Sequence, residues 1–216
     1  MTAPVLRPPD LPALEPAQPA DLVAEGGAEG IEVTGDIAAG RRLAGTRFLD
    51  VAWVGADLDD TDFAGARFIG NRFADIACTA LKAPGSAWRT SELVRSRIGA
   101  VGLDGARLQS VRVADCKIGH LNLHSASIED LELEDCRLDA LELSAASLQR
   151  VRLRGCEVGT VTLSGASLTD VDLRGAQIER LIGLDGMAGA VITQAQLFDL
   201  APALAEHLGV RVEDSA

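Results

Sequence analysis

Between Leu43 and Ile178 an apolar side chain recurs at every fifth residue, and the count never slips. Of the 28 positions in this register, 26 hold Leu, Ile, Val, Phe or Trp, the exceptions being Cys78 and Ala83. Helices repeat near 3.6 residues and strands at 2, so neither period accounts for fives. A count kept this long is an internal repeat. Each unit is too short to bury its own face, so units must stack and cover one another.

The position two before each centre refines the geometry. From Ser96 it reads Ser96, Val101, Ala106, Val111, Cys116, Leu121, Ala126, Leu131, Cys136, Leu141, Ala146, Val151, Cys156, Val161, Ala166. Small and branched residues alternate, and within the small ones from Ala106 onward Ala alternates with Cys, which gives a period of 20. Two residues apart on a strand means the same face, so this position also points inward. Four five-residue units then make one square lap, and successive laps lie about 4.8 Å apart, the spacing of hydrogen-bonded strands. Arg72, Glu92, Arg112, Glu132, Arg152 and Asp172 are also spaced by 20 and alternate in sign. Stacked on one outer face, each would meet its opposite above and below, for about 0.2–1 kcal/mol per exposed pair.

Corners need turn residues. Nine glycines lie two after a centre: Gly45, Gly55, Gly65, Gly70, Gly85, Gly105, Gly155, Gly165 and Gly175. The segment ALKAPGSAW (80–88) is the least regular and predicts a bulged lap with no inserted loop. Residues 1–30, rich in Pro, Ala and Glu, read as a flexible arm. IEV at 31–33 begins the folded part, and the repeat ends near residue 181.

Residues 182–216 form a separate tail. Thr193 can cap a helix, Pro202 would divide or kink it, and Gly209 can stop it. Leu197, Leu200, Leu204 and Leu208 can share one face, and VRV (210–212) reads as a short strand. An end of a stacked coil is an unpaired edge, which the tail should cover.

ADL (56–58), ARF (66–68), ARL (106–108), ASL (146–148 and 166–168) and VDL (171–173) resemble the pentapeptide repeat family, whose units read roughly A-(D/N)-L-x-x. The resemblance covers about 140 residues and implies an all-β fold, a right-handed quadrilateral β-helix, here with a short C-terminal helical cap. The tail resembles those of quinolone-resistance and gyrase-inhibiting members, which dimerise end to end. It implies a two-fold homodimer through Leu197, Phe198, Leu200, Leu204, Leu208, Val210 and Val212. It also implies binding to a type II topoisomerase such as DNA gyrase by DNA mimicry. A rigid scaffold for an unrelated protein partner is the alternative.

Net charge is −12 over 216 residues. Residues 1–40 carry −6, residues 41–180 carry −2 and residues 181–216 carry −4, so the repeat itself is nearly balanced. Direct binding to nucleic acid is not expected of such a chain. No apolar run approaches the ~20 residues of a membrane span, and no secretory signal opens the chain, which makes the cytoplasm the expected location. Four Cys without a CxxC pair fit reduced thiols.

Candidate chemistry is thin. Cys116, Cys136 and Cys156 should form an inward column, as a metal or redox site or simply as small apolar filler. His120, His124 and His207 read as solvated. The run EDLELED places Glu129, Asp130, Glu132, Glu134 and Asp135 close together, followed by Asp139 and Glu142, as a solvated face or an acidic partner-binding patch. No phosphate loop, dinucleotide fingerprint or nucleophile–base set is distinguishable. No cofactor, and no enzymatic activity, is expected.

Overall fold

The computed structural model describes residues 1–23 and 26–213. The repeat is a parallel β-solenoid in which every strand pairs with strands 20 residues away. Arg107–Ala114 pairs in register with Ala87–Val94 on one side and Ser127–Glu134 on the other. That column continues to Ser147 and Ser167, so Leu108, Ile128, Leu148 and Leu168 sit directly above one another. Four five-residue segments per lap make the coil four-sided, as the period of 20 requires.

The core is the five-residue register itself. Leu138, Leu143 and Leu148 are 2%, 5% and 2% exposed, and the shoulder positions two before them are buried as well. The core fills the coil: the two voids among its apolar layers are about 10 and 30 Å³. The larger lies where Phe73, Leu81, Trp88 and Leu93 meet the first aliphatic layers.

Corners explain much of the outer composition. Eight of the nine expected turn glycines have φ between 56° and 72°, where a Cβ is costly. Gly175 differs: a Cβ there would lie 2.6 Å from the Leu153 carbonyl oxygen, so it permits close approach rather than a left-handed turn. Where a corner lacks Gly it often takes Asp: Asp50, Asp60, Asp75, Asp115, Asp130, Asp135 and Asp170 all have positive φ. Asp tolerates that region because its short side chain can bond locally. Part of the chain's acidity is therefore turn chemistry.

Three expectations are corrected. Residues 80–88 contain no bulge: Ala77–Lys82 and Ala87–Val94 keep uninterrupted register with the next lap. Pro84 and Gly85 occupy a corner, where neither has to join a strand. VRV (210–212) is not a strand. The helix, α1 (Gln194–His207), runs unbroken through Pro202. Thr193 caps it, accepting from the Gln196 N–H at 3.1 Å, and Gly209 ends it with φ 69°.

Both ends of the coil are covered. Ala190–Val191 adds a short parallel strand beside Val171–Asp172 at the C-terminal end. At the other end Glu15–Pro16 pairs with Ile31–Glu32, and Leu22 is 2% exposed. Sequence alone suggests a free arm over residues 1–30. The structure lays its first 22 residues on the coil, because the unpaired lap edge offers carbonyls that Glu15 and Ala17 N–H groups meet at 3.0 and 2.8 Å. No helix among the described residues is long and apolar enough to cross a membrane.

Candidate functional site: the charged wall and the helical end

The acidic residues of 129–142 do not form one patch. The four-sided register puts Glu132 and Glu134 on one outer face, Glu129 on the preceding face, Asp139 on the following face and Glu142 on the fourth. Asp130 and Asp135 sit at corners with φ 60° and 50°. The coil therefore distributes what the sequence clusters.

Most of these carboxylates have an arginine. Arg150 reaches Asp130 at 2.7 Å and Glu129 at 2.6 Å. Arg112 bonds Glu134 at 2.6 Å, and Arg154 bonds the same carboxylate from the lap above. Arg152 faces Glu132 at 3.6 Å. The hydrogen bond from Arg112 holds Glu134 below the usual carboxylate range, and Arg150 does the same for Asp130. The row spaced by 20 pairs only in part: Arg72 meets Glu92 at 3.1 Å, while Asp172 is taken by Arg174 of its own strand rather than by Arg152. Arg112, however, takes its shortest partner from the neighbouring column, since Glu134 is closer than Glu92, which lies 3.8 Å away. The result is a wall of alternating, mutually neutralised charge.

Cys116, Cys136 and Cys156 are 3%, 2% and 0% exposed and form the inward column. Each thiol approaches backbone carbonyls, Cys116 Sγ lying 3.1 Å from the Ala114 oxygen and Cys136 Sγ 3.2 Å from the Glu134 oxygen. The contact with the Cys116 thiol, with burial, pushes Cys136 up to about 12. Burial, followed by Asp59 and Asp57, pushes Cys78 up to about 11. Thiols so protonated are poor nucleophiles. His120, His124 and His207 are exposed, and no His/Cys/Asp/Glu cluster suited to a metal occurs among the described residues.

The C-terminal end is different in kind. Leu197, Phe198, Leu208, Val210 and Val212 are 46%, 67%, 73%, 55% and 79% exposed, whereas Leu200 and Leu204 are half-buried. The helix is fastened by Gln196, whose side-chain amide donates to the Leu173 and Ala176 carbonyl oxygens at 2.7 and 2.8 Å. Those carbonyls belong to the last full lap, and among the described residues no further strand donates to them. Gln196 also bonds the Thr193 N–H at 2.8 Å, closing a capping box. The capping box is legible in the sequence. The clamp is not, because it depends on where the last lap ends.

Residues 106–181 match the model of the family described as Pentapeptide repeat region. No curated protein matches the chain. Among solved structures it is similar to full-length QnrB1, a plasmid-mediated fluoroquinolone resistance protein, at 17% identity and a TM-score of 0.49, covering 86% of this chain and 100% of that one. A trypsin-treated variant of QnrB1 is 21% identical with a TM-score of 0.48, covering 86% and 99%. HetL, a pentapeptide repeat protein involved in heterocyst differentiation regulation in the cyanobacterium Nostoc sp. strain PCC 7120, is 19% identical with a TM-score of 0.29, covering 77% and 89%. Residues 106–181 are thus a pentapeptide repeat region, and the same register carries the coil on from Leu43 to Ile178.

Proposed function

We propose that this chain is a non-catalytic, protein-binding rod that pairs end to end with a second copy through its C-terminal helix. The observation that carries this reading is the exposed apolar surface of Leu197, Phe198 and Leu208 on a helix already clamped to the coil. Large apolar side chains left in water on a fixed element mark interaction sites. A two-fold axis would bring the same surface from each copy together. Light scattering tests it: a dimer at micromolar concentration is expected, and Leu197→Ser with Phe198→Ser should give monomers of unchanged fold. A monomeric unaltered chain would refute it.

The body of the rod offers flat faces over a filled interior, which suits protein contact better than chemistry. A type II topoisomerase is the partner that the repeat and tail resemblance puts first. The wall weighs against uniform DNA mimicry, since arginines answer Glu129, Asp130, Glu132 and Glu134. Unchanged DNA gyrase supercoiling at micromolar protein would remove this partner and leave the scaffold reading, for which a single specific pull-down partner is expected.

A further inference from the structure

One corner of the coil carries something that neither end-to-end pairing nor the charged wall accounts for. The residues at that corner are spaced by 20: Gly30, Asp50, Gly70, Thr90, Ser110, Asp130, Arg150 and Asp170, all with positive φ. The N-terminal arm runs down this line. The Met1 ammonium lies 3.7 Å from Asp170 Oδ1. The Val5 N–H donates to Asp130 Oδ1 at 2.8 Å, and the Arg7 N–H donates to Ser110 Oγ at 2.7 Å. Asp10 comes near enough to Asp50 to add, after burial and Glu29, to the rise of its pKa. The Glu15 N–H then meets the Gly30 carbonyl oxygen at 3.0 Å.

From Val5 at Asp130 to Glu15 at Gly30 the arm descends five laps, about 24 Å in ten residues, an open path somewhat shallower than the full rise of a strand or a polyproline helix. Composition supports it: six of the chain's eight prolines lie at positions 4, 8, 9, 12, 16 and 19. Each fixes φ near −65° and lowers the entropy lost on docking. Pro4, Leu6, Pro9, Leu11 and Leu14 are half-buried, while Val5 and Arg7, whose main-chain N–H groups make the bonds, are exposed. The arm also buries its acceptors: Asp130 and Ser110, at an outer corner, are 7% and 8% exposed. Arg150 holds the Asp130 carboxylate in place from behind.

We propose that this corner is a docking track for an extended, proline-rich segment of another polypeptide, occupied in the free protein by the chain's own arm. The track reads main-chain N–H groups through side-chain acceptors one lap apart, so it selects extended conformation and proline spacing rather than side-chain identity. A tethered arm competes at an effective concentration of the order of millimolar. A second segment therefore binds by displacing it.

The probe is a fluorescein-labelled peptide of residues 1–16, followed by anisotropy against the full chain. Val5→Pro with Arg7→Pro, made in the full chain, removes both donors while keeping the arm extended. The peptide should bind this double variant at least tenfold more tightly than the unaltered chain. Adding Ser110→Ala to the double variant should weaken binding at least tenfold, and a peptide bearing both prolines should not bind. The proposal is overturned if the peptide ignores the double variant, binds both chains equally, or is indifferent to Ser110→Ala.

Discussion

The two halves of the coil solve one packing problem in two ways. From Phe48 to Trp88 the interior is aromatic: Phe48, Phe68 and Trp88 stack in one column, with centroids 5.3 and 4.2 Å apart, and Trp53 stacks on Phe73 at 5.4 Å in another. From Leu103 to Leu173 the same positions hold only aliphatic side chains. The shoulders change in step. Beside the aromatics they include Thr46, Thr61, Asn71 and Ser86, all buried. Beside the leucines they alternate Val or Leu with Ala or Cys. A square lap has a fixed cross-section, so larger centres require smaller shoulders at native packing density. The polar shoulders also serve the rings: Trp53 Nε1 donates to Asn71 Oδ1 at 3.2 Å and Trp88 Nε1 to Ser86 Oγ at 2.7 Å. A buried indole N–H needs such a partner.

If the aromatic layers are the more tightly committed half, Trp53→Ala should give the largest loss, about 3–5 kcal/mol by chemical denaturation, with Leu143→Ala at the lower part of about 2–5 kcal/mol. Equal losses would erase the distinction. Asn71→Leu probes the polar shoulder: it strands the Trp53 N–H and removes the amide that donates to the Phe48 and Ile69 carbonyls. A loss of about 1–3 kcal/mol is expected, whereas Cys136→Ala in the aliphatic half should cost less, since its thiol makes only weak contacts. A loss for Cys136→Ala as large as that for Asn71→Leu would contradict the account.

Acid should loosen the aliphatic half more, because the one carboxylate that an arginine holds low in the aromatic half, Asp75 beside Arg95, lies at an exposed corner. Asp130, Glu134 and Asp172 lie in the aliphatic half, and hydrogen bonds from Arg150, Arg112 and Arg174 hold them below their usual values of 3.8, 4.5 and 3.8. A folded pKa below the unfolded one means a contribution present above that unfolded value and lost as pH falls through the folded one. Hydrogen exchange at pH 3 against pH 6 should therefore show loosening first on the laps from 112 to 174. Uniform loosening would sink that assignment. The smallest effect is a gain: Thr46 Oγ1 is buried without a hydrogen-bond partner, so Thr46→Val should raise stability by up to about 1 kcal/mol, read as a small rise in Tm. A loss would mean that the hydroxyl is satisfied in solution.

Much of this was legible in the residues. Leu138, Leu143 and Leu148 declared their burial by spacing, and the Ala/Cys alternation declared the lap length, because both follow from local periodicity alone. The Arg72–Asp172 row was legible for the same reason. The acidic run of 129–142 misled, since neighbours in sequence turn to different faces at each corner and Asp130 and Asp135 are there for their φ. Pro202 misled too: a missing N–H near the solvent-facing side of a capped helix does not break it.

The sequence by itself determined the five-residue register, the twenty-residue lap and the capped terminal helix, because each rests on contacts repeated at fixed separations or made within a few residues. Only the tertiary structure decided which carboxylates meet which arginines, that Gln196 fastens α1 to the last lap, and that the proline-rich arm lies along one corner. Most of those contacts join residues 15 to 125 positions apart, and their partners are defined by where the coil places a corner or leaves an edge open.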